Sequence, residues 1–334
     1  MGSSDVKITT FRGSKDGTIV QSEDQAPQLQ GDSVLVKITH SGLCGTDVHY
    51  RSADQVLGHE GLGTVHSTGP DVKDLKNGDV VGFGYLHSSC GRCEQCLSGK
   101  ETYCPERVMY GLGDLGNGSF ASHAVWREAF LFKIPEGIAP EHAAPLQCGG
   151  ATVFNALEAY DTRPTERVGI IGVGGLGHLA IEFAAKMGCE VVVFSGTESK
   201  KEEAMKLGAN EFIATKDKDK LDVKPVQRLI VTTSAMPDWN LYLPVLAPEA
   251  KVFPLTVAEG NFEMPQMPLI TQGITIQGSV VAPRNIHKKM LDFVAKQGIK
   301  PVIEEFPLTK EGIEQSFEHL ESGNMRFRGV LVAQ

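Results

Sequence analysis

A chain of 334 residues with 41% hydrophobic content is long enough to bury two cores, so two domains are expected. Lys and Arg total 32 against 41 Asp and Glu, a formal net charge of −9, and no basic run is interleaved with aromatics. A nucleic-acid partner is therefore excluded, because phosphate binding needs concentrated positive charge. The opening MGSSDVKITTFRG has no apolar h-region, and no apolar stretch approaches the roughly 18 residues of a membrane span, so a cytoplasmic protein with no membrane partner is expected.

The first 150 residues read as short strands punctuated by glycine. Candidates are Ser33 to Ile38, Gly63 to His66, Val80 to Phe83 and Phe130 to Ile134, the last stopped by Pro135. No helix of ordinary length is expected before Pro140. From about residue 151 the pattern changes to strands alternating with helices, which predicts a parallel sheet covered on both faces. A helix over Ala151 to Ala159 precedes the strand RVGII, the glycine loop GVGGLG and the helix HLAIEFAAKM; then come EVVVFS, the helix SKKEEAMKLG and EFIA. RLIVTTS, a helical WNLYLPVLA, the strand KVFPLTV and a late strand ITIQGSV follow, with Pro254 expected at an edge, bulge or strand end. After residue 284 come helices from about Asn285 to Gln297 and Thr309 to Leu320 and a terminal strand RFRGVLVA. The simplest arrangement is a nucleotide domain, 151–284, inserted into a domain built from 1–150 and 285–334.

Gly172-Val173-Gly174-Gly175-Leu176-Gly177 fits GxGxxG, and its place between a strand and an amphipathic helix predicts dinucleotide binding. Gly172 suits a tight turn, Gly174 close approach of pyrophosphate to backbone, and Gly177 close helix packing. At the end of the second strand, where an NAD site usually carries Asp or Glu, stands Ser195, followed by Gly196, Thr197, Glu198, Ser199, Lys200 and Lys201. A hydroxyl with nearby ammonium groups suits a 2′-phosphate, so NADP(H) is expected, against the one dissenting charge of Glu198. The alternative is that both lysines only solvate a helix start.

Seven cysteines need an explanation, since four of them fall inside 15 residues. Cys90, Cys93, Cys96 and Cys104 offer four soft ligands with no position left for water, which predicts a closed structural zinc site; an iron–sulfur cluster would use similar ligands. Cys44, His59 and Cys148 make a dispersed Cys2His set that would leave a fourth position for water or a substrate oxygen, with Glu60 beside it. Spacing alone does not bring these three together, and a buried inert thiol is the alternative for Cys148. Two zinc ions per chain are the resulting expectation.

These blocks resemble the zinc-containing medium-chain dehydrogenase/reductase superfamily, in particular its cinnamyl alcohol dehydrogenase-like branch. The likeness lies in GLCGTDVH, GHEG, the four-cysteine loop, GVGGLGHLAIEFAAKMG and FSGTESKKEEAMKLGA, in order, over essentially the whole chain. It implies an α/β fold in which a Rossmann nucleotide-binding domain is inserted into a GroES-like β-rich catalytic domain, usually as a homodimer made through the nucleotide domains. It also implies that Cys44, His59 and Cys148 hold catalytic zinc, that Glu60 approaches the metal during exchange, and that Asp47 orients His59. Thr46 would contact the substrate oxygen, His49 would relay a proton through the cofactor ribose, and Arg328 would lie near the pyrophosphate. Gly172, Gly174, Gly175, Leu176 and Gly177 would carry the cofactor phosphates, with Ser195, Thr197, Lys200 and Lys201 at the 2′-phosphate; Gly196 replaces a serine common in that branch.

Only nine residues separate His49 from His59, fewer than is common in the family, so a wall of the substrate cleft is expected to change. Leu86, Tyr50 and Trp126 are the candidate lining residues, although ordinary packing suits the last two as well. The reading is an NADP(H)-dependent zinc alcohol dehydrogenase or aldehyde reductase acting on apolar, aromatic or allylic aldehydes. Its rivals are a reductase of an activated C=C or C=N bond and a catalytically silent cofactor-binding interaction protein.

Overall fold

The computed structural model describes residues 6–255, 257 and 260–334. The chain divides into two compact units, one running up to Gly149 and resuming over Pro283–Gln334, the other Gly150–Ala282.

The first unit is organised by the strand Ser33–Leu43, whose alternating Val and Ile side chains suit a pleated, buried surface. It stands inside a seven-stranded sheet in the order Ile303–Pro307, Arg328–Val332, Ser33–Leu43, Gly61–Thr68, Val80–Phe83 and Phe132–Lys133, with His123–Arg127 pairing to Ser33–Leu43 as well. Only the pair of C-terminal strands is parallel. The two ends of Ser33–Leu43 serve different partners, residues 33–37 facing His123–Arg127 and residues 40–43 facing the C-terminal strand. The return segment thus completes the sheet of the first unit, in which Val34, Val36, Leu62, Val81 and Val330 are wholly or almost wholly buried.

The second unit is a six-stranded parallel sheet in the order Glu211–Ala214, Glu190–Ser195, Arg167–Ile171, Val226–Val231, Leu246–Pro254 and Thr275–Ile276. Counted along the chain this is the 3-2-1-4-5-6 order of a Rossmann sheet, with its switch point between the first and fourth strands. The middles of the central strands are apolar, as a sheet covered on both faces requires: Val168, Ile170, Val191, Val192, Val193, Leu229 and Ile230 are fully buried.

Several local expectations are corrected. Tyr242 ends the helix that begins at Trp239; a single 3-10 turn carrying Pro244 follows, and Leu246 already starts the next strand. Proline there supplies no N–H to continue a helix. Of KVFPLTV the strand takes the residues up to Pro254, which lies at its end opposite Val231, while Thr256 lies outside the described residues. The late strand shrinks to Thr275–Ile276, and the strand over Phe130 to Ile134 to Phe132–Lys133, because Phe130 closes a 3-10 turn. The hairpin Lys7–Arg12 with Val20–Gln25, the pair Leu86–Ser88 with Val108–Met109, and the strands His123–Arg127 and Ile303–Pro307 carry too little alternation or length to be read from pattern alone.

Candidate active site and cofactor groove

Sheet register assembles the dispersed ligands. Leu43 faces Gly329, Ser41 faces Gly61, and Gly61 faces Phe83. Cys44 just after the first strand, His59 and Glu60 just before the second, Tyr85 two residues past the third and Arg328 at the start of the last are therefore delivered to one end of the sheet. Cys148, after the 3-10 turn Ala144–Gln147, completes the group. One donor atom from each of Cys44, His59, Glu60 and Cys148 lies within 4.8 Å of all the others.

Asp47 holds this group in place. It lies in the helix Gly45–His49, is fully buried, and accepts from His59 Nδ1 at 2.9 Å, the Tyr110 hydroxyl at 2.9 Å, Gly58 N at 3.1 Å and Cys44 N at 3.0 Å. With Nδ1–H given to a carboxylate, His59 Nε2 is the bare acceptor, and this buried atom has no hydrogen-bond partner. The contact with Cys148 holds the Cys44 thiol well below its ordinary pKa, and the same contact together with burial pushes Cys148 well above. Two buried thiols cannot both ionise side by side unless a cation lies between them. The orphaned imidazole nitrogen and the paired thiols fit a metal with Cys2His ligation.

Glu60 is the fourth donor. Burial raises its carboxyl to about 7, opposed by Arg328, whose guanidinium pairs with it; Gly149 N donates to its other oxygen at 3.0 Å. Gly42 makes room, since a Cβ there would meet Glu60 Oε2 at 2.0 Å. Arg328, expected at a pyrophosphate, is thus engaged with the acid of the ligand group. Thr46 Oγ1 lies 3.6 Å from Cys44 Sγ and is half-buried, while His49 is exposed.

The four clustered cysteines also converge. Cys90 and Cys104 sulfurs are 3.6 Å apart, Cys93 and Cys96 3.6 Å, and Cys90 and Cys96 3.9 Å. A tetrahedron of zinc–sulfur bonds about 2.3 Å long has edges of about 3.8 Å. All four thiols are free, too far apart for disulfides and spaced for a shared ion.

In the second unit the glycine loop leaves Arg167–Ile171 at the switch point. Gly172 has φ +97°, a conformation that disfavours any side chain, and Thr232 donates to Ile171 O at 2.8 Å alongside it. A Cβ at Gly177 would lie 2.1 Å from Gly172 O, whereas one at Gly174 would meet no atom within 4 Å. Turn, helix packing and open space thus fall on the three glycines as a phosphate loop needs. Beside it lies a groove of about 480 Å³ lined by Gly172, Phe194, Ser195, Thr215, Thr233 and Tyr242, among others. Ser195 faces it at the end of its strand. Thr197 bonds Ser199 at 2.9 Å, Lys201 pairs with Glu198 at 3.6 Å, and Lys200 Nζ donates to Val173 O at 2.9 Å in the glycine loop.

The expected lining residues separate. Trp126 is buried between Phe83 and His87, with ring centroids 4.2 Å from each, the surroundings of a packing residue. Leu86 is buried and paired with Met109. Its neighbour Tyr85 instead turns an edge to His59 at 5.4 Å, and Tyr110 lies against His59 at 4.6 Å with Tyr50 edge-on to it at 5.4 Å. Burial, with Tyr50 adding, pushes the Tyr85 phenol up. The short segment after His49 is tied down by Arg51, which donates to Gly17 O, stacks over Phe317 at 5.7 Å and pairs with Glu321 at 3.5 Å. Tyr85 and Tyr110 carried no local sequence signal, because the partner of Tyr110 is 63 residues away.

The alcohol dehydrogenase GroES-like domain family matches residues 30–136 and the zinc-binding dehydrogenase family residues 175–296, together more than half the chain. The chain belongs to the zinc-containing medium-chain dehydrogenase/reductase superfamily. An alcohol dehydrogenase of Geobacillus stearothermophilus is 32% identical to this dehydrogenase over 322 residues, 92% of this chain and 94% of that one. A solved cinnamyl alcohol dehydrogenase from Sorghum bicolor superposes with a TM-score of 0.90 at 30% identity over 98% of both chains. A CAD from Helicobacter pylori solved with NADP(H) gives 0.88 at 26% identity, again over 98% of each. The GroES-like and Rossmann parts of this dehydrogenase are the two units described above. Among the described residues no helix is long and apolar enough to cross a membrane.

Proposed function

We propose that this dehydrogenase is a zinc-dependent, NADP(H)-using oxidoreductase of aldehydes and alcohols, working as a reductase of apolar, aromatic or allylic aldehydes. The observation that carries the reading is the convergence of Cys44, His59 and Cys148 with His59 Nε2 left unpartnered and Glu60 as the fourth donor beside them. Cys90, Cys93, Cys96 and Cys104 would hold a second, structural zinc. Bound at these sites and in the groove, zinc supplies an electrophile for the substrate oxygen and the nicotinamide a hydride.

The chain's own residues do the rest. Asp47 keeps the proton on His59 Nδ1, so that Nε2 presents its lone pair. Thr46 gives a hydroxyl hydrogen bond to the substrate oxygen, and exposed His49 passes a proton to and from solvent. Glu60, the fourth donor, shares its two oxygens with Arg328 and Gly149 N–H, so that its place can pass to the substrate oxygen. Tyr85, half-buried, adds an aromatic wall beside His59, which suits an apolar substrate, while buried Tyr110 backs the imidazole. Ser195 in place of an acid, with Thr197, Lys200 and Lys201 next to it, favours the 2′-phosphate, as does the likeness to a protein solved with NADP(H). Homodimer formation is part of the proposal: Thr275–Ile276 is an edge strand whose Ile276 is exposed, and Met267 and Ile270 stand exposed on the helix Gln266–Gln272.

A panel of aldehydes, imines and enals assayed with NADPH and NADH, tracing deuteride from labelled NADPH, tests the reading. Label at the carbonyl carbon with NADPH preferred is the expected outcome. Label confined to an alkene or imine carbon would replace it with the reduction of an activated double bond.

A further inference from the structure

Cys148 is the one proposed ligand that no strand end carries, so something else must fix it. The residue before it, Gln147, is 1% exposed, and its side chain is confined on every side. Its amide nitrogen donates to Ala143 O at 3.0 Å, and its Oε1 lies 3.0 Å from His287 Nε2. Because a backbone carbonyl only accepts, the amide orientation is determined, and His287 Nε2 must carry the proton. Gly82 in the strand Val80–Phe83 and Gly84 just past it complete the clamp: a Cβ on Gly82 would fall 2.5 Å from the Gln147 amide, and one on Gly84 would fall 2.2 Å from Gln147 O.

His287 is itself held rigidly. It lies in the helix Arg284–Gln297 of the return segment, is 3% exposed, and stacks on Phe132 with ring centroids 3.9 Å apart and planes 9° apart. Burial pushes its pKa down to about 3, which leaves the ring neutral with one N–H to give. A buried histidine 140 residues away in sequence thus spends that N–H on the residue next to a metal ligand.

We infer that His287 is a positioning residue that, through Gln147, holds the backbone entering Cys148 so that its thiolate stays within ligating distance of Cys44 and His59. The return segment thereby does more than complete the sheet of the first unit; it sets one vertex of the metal site. The inference rests on the reading of Cys44, His59 and Cys148 as metal ligands. Breaking the bond would leave a buried acceptor without a donor and free the turn Ala144–Gln147 to shift. The loop of a second ligand group, Cys90, Cys93, Cys96 and Cys104, touches this helix at its start, where Arg284 N donates to Glu101 Oε1 at 2.7 Å, and the group serves as an internal control for changes at His287 and Gln147.

The test uses the full chain with cobalt in both sites, reading the visible ligand-field and thiolate charge-transfer bands and the rate of metal loss to a chelator. His287→Phe keeps a flat ring against Phe132 and removes the N–H, while Gln147→Leu removes the acceptor. Each single variant is expected to shift the Cys2His bands and to speed loss of that one metal about tenfold, with the four-cysteine metal retained. The double variant should lose metal no faster than Gln147→Leu alone, since that change already breaks the bond to His287 along with the one to Ala143 O. His287→Gln, which offers an amide N–H in place of the imidazole, guards against misfolding of the phenylalanine variant and should recover part of the wild-type band pattern. Wild-type bands and release rates in the single variants, or rates that multiply in the double, would overturn the inference. If wild-type protein took up cobalt only at the four cysteines, the reading of the Cys2His site itself would fail, whatever His287 does.

Discussion

Two groups of proposed metal ligands sit in one unit of this dehydrogenase and are built on opposite principles. Cys90, Cys93, Cys96 and Cys104 come from one loop, Cys90 and Cys93 half-exposed, and need only short-range turns to converge. Cys44, His59 and Cys148 come from three places in the chain, His59 and Cys148 buried, and converge only because strand register and the Gln147–His287 contact bring them together. Around the first group the sulfurs meet backbone and one hydroxyl, Cys93 N lying 3.4 Å from Cys90 Sγ and the Ser89 hydroxyl 3.4 Å from Cys96 Sγ. The second has a carboxylate on its histidine, an arginine on its spare acid and tyrosine rings along its side. A site that shapes a loop needs ligands alone, whereas a site that does chemistry must control orientation, charge and the position left open.

Substituting one ligand in each group should separate these roles most sharply. Cys148→Ser is expected to lower kcat by about 10³-fold or more, the scale of losing a polarising ion, while the fold and the four-cysteine metal persist; unchanged turnover with unchanged metal content would remove Cys148 from the site. Cys104→Ser should instead appear as lost stability, about 4 kcal/mol or more by denaturant titration, with turnover per folded molecule much less affected. Equal damage to turnover from both substitutions at matched folded concentration would erase the distinction.

Asp47→Asn probes the support around the buried group. An amide cannot accept from all four donors that Asp47 serves, so one N–H would face another donor. Metal affinity at the Cys2His site should drop roughly 10- to 100-fold with the four-cysteine metal untouched, as read by competition with a chromogenic chelator.

The smallest effect, counted per pH unit, is a pH dependence. His287 titrates near 6.5 in the unfolded chain and at about 3 when folded, so the unfolded state binds the extra proton between these values. Stability must therefore rise with pH across that window and fall on acidification, by up to about 1.4 kcal/mol per pH unit from this group. His287→Phe should flatten the plot of urea midpoint against pH between 6.5 and 4. Parallel curves for the two proteins would mean that the imidazole is not buried neutral.

Sequence by itself determined the elements whose information is local. The spacing of Cys90, Cys93, Cys96 and Cys104, the strand–glycine–helix run from Arg167 to Lys186, and Ser195 where an acid usually stands all lie within windows of a few residues to a few tens, where chain geometry leaves few alternatives. The resemblance supplied Cys44, His59 and Cys148 as a set, but not what surrounds them. Tertiary structure alone decided that Arg328 pairs with Glu60, that Tyr85 rather than Leu86 turns toward His59, that Trp126 packs in the interior, and that His287 reaches Gln147. Each of these depends on register or on packing between segments 26 to 268 residues apart, and such contacts leave no period or spacing in the chain. A ligand can be recognised by its own chemistry, whereas its orientation and charge belong to neighbours that only the folded sheet brings beside it.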